Sequence, residues 1–242
     1  MKDKLKQYAD EVADLTAEEI VSWGINLFSK ERIILSSSLS LEDQVITDML
    51  LHHEKDVRIL VLDTGRNFQE TYDVMQATMD RYSIRYEVYS PEASEIEELI
   101  KENGPNLFYK SIENRKLCCE IRKIRPLKRA LSNVDAWITG LRREQSVTRT
   151  LVEPIEWDEN FGIFKINPLY SWDMKRVKEY IKENEIPYNT LSDRGYLSIG
   201  CAPCTRAVLE GEDERAGRWW WETPEKRECG LHNKNSGGNS RG

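Results

Sequence analysis

No stretch of these 242 residues approaches the ~20 consecutive apolar positions that a membrane-spanning helix requires, so an α-helical integral membrane protein is excluded. The first 14 residues lack the apolar core of a secretory signal peptide, and a cytosolic protein is expected. Positive charge is also short: 35 Lys and Arg against 42 Asp and Glu leave a net charge of −7. That balance argues against a general nucleic-acid or membrane binder, although local basic clusters can still hold a small anion. Cysteine is scarce, and its count of five is odd. A complete disulfide framework is therefore excluded, and in a reducing compartment ligation or catalysis is the more natural use of the thiols. No internal repeat is visible.

What is present suits one α/β domain over residues 1–222, with a C-terminal appendage over 223–242. Residues 2–13 and 17–28 have amphipathic helical patterns, the second opened by Thr16 with Glu19 three positions later, a capping-box pattern. Residues 32–38 form a β-branched and leucine run that breaks into Ser36-Ser37-Ser38-Leu39-Ser40, followed by a helical pattern over 41–51. Strand, polar loop and helix together suit an anion, because loop N–H groups, serine hydroxyls and a helix N-terminus all present donors. The same pattern also suits an ordinary serine-capped helix. Residues 57–63 read as a buried parallel strand delivering Leu62-Asp63-Thr64-Gly65-Arg66 to the ligand edge of a sheet. A crossover helix over 68–82, a strand over 84–89 and a short acidic helix over 95–102 follow. A second strand-to-loop junction runs from Ala136 to Gly140 and ends in Leu141-Arg142-Arg143. Residues 151–166 look like a hairpin, and 173–184 like a charged amphipathic helix. Alternating strands and helices of this length predict a doubly wound, mostly parallel sheet. Beyond Thr223 the apolar pattern fails, and a mobile C-terminal segment is expected.

The most informative stretch is Lys116-Leu117-Cys118-Cys119-Glu120-Ile121-Arg122-Lys123. Adjacent side chains point to opposite faces of a strand but diverge by only about 100° on a helix. A bulky multi-metal group could accept both thiols there, whereas a single zinc ion accommodates adjacent ligands less easily. Cys201-Ala202-Pro203-Cys204 supplies a second pair downstream, completing a quartet that suits iron–sulfur ligation. Zinc binding, thiol redox chemistry and inert buried thiols remain alternatives on the residues alone.

Four motifs in order resemble the assimilatory adenylylsulfate reductases, within the wider family of adenylylsulfate and phosphoadenylylsulfate reductases. They are C-C-x-x-R-K from Cys118, G-L-R-R-E-Q-S from Gly140, I-G-C-A-P-C-T-R-A-V from Ile199 and E-C-G-L-H from Glu228. The resemblance spans about residues 33–232. It implies the adenine nucleotide alpha hydrolase-like fold and one 4Fe-4S cluster on Cys118, Cys119, Cys201 and Cys204. It also implies adenylylsulfate as substrate, with phosphoadenylylsulfate as a lesser or equal one, and thioredoxin or glutaredoxin as reductant. Cys229 is then the nucleophile, attacking sulfur to leave an enzyme thiosulfonate that a second thiol resolves. Lys226, Arg227 and His232 stand close enough in sequence to depress its pKa if they converge on it. Ser38, Leu62, Lys123, Arg143, Arg149, Arg215, Arg218 and His232 are the candidate substrate contacts, since arginine forks suit sulfate and phosphate oxygens. The tryptophans of Trp219-Trp220-Trp221 are expected to pack as core or lid.

One departure is Ser40, where the family usually has glycine, a residue free to adopt conformations that serine resists. An ATP pyrophosphatase of the same fold is a rival, but the S-G-G-x-D-S-like loop of such enzymes is absent. A non-catalytic metal-containing redox sensor is another, and it would not need Cys229. A homo-oligomer is compatible with the sequence.

Overall fold

A computed structural model describes residues 2–145 and 149–223. Its framework is a six-stranded sheet of β1 (Ile33–Ser37), β2 (Arg58–Leu62), β3 (Glu87–Tyr89), β4 (Ala136–Ile138), β5 (Ile155–Asp158) and β6 (Ile163–Ile166). The spatial order is β3-β2-β1-β4-β6-β5. All neighbours run parallel except β5 and β6, which form the antiparallel hairpin anticipated over 151–166. The hairpin's second strand also docks parallel to β4, a long-range pairing that no local pattern announces.

The strands alternate between two apolar layers, as a sheet buried on both faces must. Ile33 and Leu35 of β1, Ile59 and Val61 of β2, and Ala136 and Ile138 of β4 enter the larger core. Ile34, Leu60 and Trp137 enter the opposite one. The larger core is closed by α1 (Leu5–Val12), α2 (Ala17–Phe28), α3 (Leu41–His53) and α8 (Met174–Glu183). The capping box that opens α2 forms as expected: Thr16 accepts from the Glu19 N–H while the Glu19 carboxylate accepts from the Thr16 N–H. Between β2 and β4 the chain forms α4 (Gln69–Tyr82), α5 (Ala93–Asn103) and then the cysteine-bearing helix.

The cysteine helix is not continuous. It comprises α6 (Ile112–Cys119), a π-helical turn over Glu120–Ile124, and α7 (Arg125–Ala130). Pro126 follows that turn and has no N–H to return to the carbonyl four residues earlier, so the regular ladder is interrupted at this point. Lys123 lies on the π turn.

β1 has β2 on one side and β4 on the other, and the chain leaves these neighbours in opposite directions from the carboxyl ends. Such a switch point is where open α/β sheets form their crevices. Here the crevice receives the serine loop after β1, the Leu62–Arg66 loop after β2 and the Thr139–Gln145 loop after β4. No helix among the described residues is long and apolar enough to cross a membrane.

Candidate active site

The serine loop is shaped by one residue in left-handed conformation, and that residue is Leu39 (φ 60°). Ser40 sits at φ −73°, ψ 170°, ordinary extended backbone, and caps α3 by accepting from the Asp43 N–H. Serine at this position is therefore under no conformational strain, and the backbone freedom of glycine is not required there. The side chain of Leu39 is buried, anchoring a conformation its Cβ resists.

The first turn of α3 is buried although it reads Glu42-Asp43-Gln44. Asp43 accepts from the Ser38 N–H and the Ser38 hydroxyl, both at 2.6 Å, on the same carboxylate oxygen. Burial pushes its carboxyl up to about 6, against the opposing pull of those Ser38 donors, and neighbouring Glu42 pushes in the same direction as burial. Gly140 keeps this corner open, because a Cβ there would lie 2.5 Å from the free Asp43 oxygen and 2.9 Å from the Glu42 Cβ.

A cavity of about 190 Å³ fills the switch point. Ser38, Leu62, Lys123, Arg149, Arg215 and Arg218 all line it, so six of the anticipated contacts meet in one place although they come from five separate segments. Leu127 and Trp137 add apolar wall, and Ser198 receives a hydrogen bond from Arg215 at 3.4 Å. The lining is therefore cationic on one side and apolar on another, suited to an anion joined to a flat apolar group.

Arg143 stands apart from this cavity. Its guanidinium donates to the Val152 carbonyl at 2.7 Å, pairs with Glu153 at 3.0 Å and lies over the Tyr170 ring. The neighbouring Arg142 takes the inward path instead, fully buried behind the lining. Cys229 and His232 lie outside the described residues, as does the segment 146–148.

Next to the anion cavity is a small chamber lined by Cys118, Cys119, Cys201 and Cys204, and Lys123, Arg218 and Trp219 border both spaces. Cys118 and Cys119 end α6, while Cys201 and Cys204 flank a short 3₁₀ turn over Ala202–Cys204. All four are buried free thiols. Among the described residues no three His, Cys, Asp or Glu side chains converge on one ion position. Arg66, Arg115 and Arg122 complete a cationic wall. Burial raises the Cys118 thiol and pushes Cys204 up to about 12. Burial acts on Cys201 too, but the Lys123 charge, the Thr64 hydroxyl at 3.3 Å and Arg218 outweigh it and lower its pKa.

The chamber also contains two buried N–H donors, Arg122 Nε and Trp219 Nε1, with no acceptor among the described residues. Buried donors of this kind are rare unless something else accepts from them. Four thiols, a surplus of cations and two orphaned donors fit a bulky, sulfur-rich anionic group. Trp219 is packed as anticipated, with the Arg115 and Arg218 guanidinium groups over its ring at 4.7 and 4.6 Å. Gly200 makes room for Arg218, whose Nη2 would lie 2.3 Å from an added Cβ.

Several residues of this site carried no local sequence signal. Arg142, Glu214, Arg115 and Glu222 form charge pairs between segments far apart in the chain: Arg115 with Glu222, buried on both sides, and the fully buried Arg142 with the part-buried Glu214. Asp43 carried a weak one, as an acidic residue in the first turn of a helix that is buried all round.

A parallel sheet whose switch point carries a serine loop and a cationic cavity defines a nucleotide-binding protein of the adenine nucleotide alpha hydrolase-like class. Residues 32–207 match the phosphoadenosine phosphosulfate reductase domain. The chain is 47% identical over 204 residues to an adenosine 5'-phosphosulfate reductase of Allochromatium vinosum, covering 84% of this chain and 80% of that protein. It is 49% identical over 201 residues to the protein of the same name from Sinorhizobium fredii, covering 83% and 80%. A crystal structure of phosphoadenylyl-sulfate reductase from Candida auris, in complex with phosphate, superposes with a TM-score of 0.73 at 32% identity, covering 86% of this chain and 98% of the other. The chain belongs to the phosphoadenosine phosphosulfate reductase family.

Proposed function

We propose that this protein reduces adenylylsulfate to sulfite and AMP, as an enzyme of assimilatory sulfate reduction acting in the cytoplasm. The observation that carries the proposal is the meeting of Lys123, Arg149, Arg215 and Arg218 in one cavity beside the cysteine chamber. The names of relatives nearly half identical to this chain support the same substrate.

In this proposal the serine loop and the start of α3 receive the phosphate side of the mixed anhydride, and the apolar wall at Leu62, Leu127 and Trp137 receives the base. The arginines hold the sulfate oxygens and orient the sulfur for attack. The Cys229 thiolate displaces AMP by breaking the bond between sulfur and the bridging oxygen, leaving the sulfonate on Sγ. AMP departs as a stable anion, its new negative charge offset by the same cations. A thiolate of thioredoxin or glutaredoxin then attacks Cys229 Sγ and expels sulfite. The reductant's second thiol resolves the mixed disulfide, so its dithiol supplies both electrons. Cys118, Cys119, Cys201 and Cys204 would hold a 4Fe-4S cluster as thiolates, which supplies charge and rigidity beside Lys123 when bound. Lys123, bordering both spaces, orients the substrate anion from the chamber side.

Phosphoadenylylsulfate is a second substrate in this proposal, favoured by the 32% identity to the Candida auris enzyme. The test is anaerobic turnover with reduced thioredoxin and each nucleotide in turn, measuring sulfite and the nucleotide product together. Equal release of sulfite and AMP from adenylylsulfate is expected. Failure to form sulfite from either nucleotide with cluster-loaded protein would refute the assignment.

A further inference from the structure

The anion cavity contains an electrostatic contradiction: Glu42, Asp43 and Glu214 line it together with the cations. Two of these carboxylates are managed by one side chain. Arg142, fully buried, donates from Nε to Glu42 at 3.0 Å and from Nη2 to Glu214 at 3.0 Å, with Nη1 donating to the Trp172 carbonyl at 3.3 Å. Glu42 begins α3 beside the serine loop, whereas Glu214 directly precedes Arg215 in the segment that also carries Arg218. Arg142 itself leaves β4. One guanidinium therefore fastens together three walls of the cavity.

The same knot reaches a fourth wall. Gln145 donates to Glu42 at 2.7 Å and accepts from the Arg142 N–H at 3.3 Å, and its carbonyl oxygen also accepts from Arg149. After Glu214 the segment docks on the stretch around Cys204–Arg206, where the Gly217 carbonyl accepts from the Arg206 N–H at 3.0 Å and the Trp219 N–H donates to the Cys204 carbonyl at 3.2 Å. The Arg142–Glu214 pair ties this docked segment to the loop after β4 and, through Glu42, to the start of α3.

We propose that Arg142 is a positioning residue and that its ion pair with Glu214 is a latch holding Arg215 and Arg218 in register with the serine loop, while its contact with Glu42 offsets a carboxylate that would otherwise repel the bound anion. Its effect on turnover rests on the substrate assignment made above; its effect on the 213–219 segment does not. Nothing about Arg142 requires contact with substrate, since it lies behind the lining. The ends of the latch are 72 residues apart, so it is a tertiary device and not a local turn.

Glu214→Gln in the full chain tests this, because it leaves the Arg142–Glu42 pair in place and keeps the side chain's shape. Two readouts are needed: amide hydrogen exchange over 213–219 in nucleotide-free protein, and KM against kcat for adenylylsulfate. Faster exchange in that segment by roughly tenfold, with KM raised about tenfold and kcat changed less than about twofold, is expected for loss of a charged contact that acts equally in ground and transition states. Glu210→Gln, at an exposed position just before this segment, should change neither. Unchanged exchange overturns the latch whatever happens to KM, and faster exchange with unchanged KM overturns the positioning role. If the wild-type chain proves inactive on adenylylsulfate, the substrate assignment fails separately, and exchange alone decides the latch.

Discussion

Replacing Asp43 by asparagine should make the protein more stable at neutral pH, and the size of the effect follows from its surroundings. The carboxyl is buried and its pKa is raised from 3.8 to about 6, chiefly by loss of hydration. A raised carboxyl pKa means that the folded state holds its proton more tightly than the unfolded chain. Below about pH 3 both states are protonated and Asp43 costs nothing. As pH rises from there through 3.8 to about 6 the unfolded chain ionises first, so stability is lost across that window and stays lost above it. A shift of roughly two units at 1.36 kcal/mol each gives about 3 kcal/mol. Asparagine can still accept from the Ser38 N–H and hydroxyl through its carbonyl oxygen, but it carries no charge to desolvate. Urea unfolding of both proteins at several pH values should show equal midpoints near pH 3 and a gap in favour of Asp43→Asn that opens to about 3 kcal/mol by pH 7.5. A gap that does not vary with pH, or an asparagine variant less stable at pH 7.5, would refute the claim that burial dominates this group.

Glu222→Gln removes the carboxylate that holds the fully buried Arg115 through two hydrogen bonds of 2.9 and 2.8 Å. Urea unfolding should show a loss of about 3–5 kcal/mol, because a buried guanidinium is left without its counter-charge. Gly217→Ala places a Cβ 2.2 Å from the Arg206 carbonyl oxygen, a backbone atom with no freedom to swing aside. A loss of about 1–3 kcal/mol in the same assay is expected, together with weaker adenylylsulfate binding by calorimetry, because Arg218 follows directly.

The fold was legible where local chemistry decides it. Thr16 and Glu19 announced their capping box, and the run into Ser36–Ser40 announced a strand, loop and helix, because both signals lie within a few residues. Four cysteines in two pairs announced a shared chamber before any tertiary contact was known. The choice between Arg142 and Arg143 was not legible. Both follow β4, and which of two adjacent arginines turns inward depends on Glu42 and Glu214, carboxylates 100 and 72 residues away. The π turn at Glu120–Ile124 was hidden for a related reason, since an interrupted helix keeps nearly the same apolar spacing as a regular one. Ser40 departs from the family's usual glycine, and only the structure shows that it holds ordinary extended backbone. The left-handed residue is Leu39, one position earlier, held by burial of its side chain.

The proposed covalent step at Cys229 can be read by intact mass spectrometry. Cluster-loaded protein, prepared anaerobically and mixed with adenylylsulfate without any thiol reductant, should gain the mass of one sulfonate on the wild-type chain and none on Cys229→Ser. Adding reduced thioredoxin should discharge the adduct as sulfite. An unmodified wild-type chain, or an adduct that persists in Cys229→Ser, would contradict the assignment of Cys229 as the nucleophile.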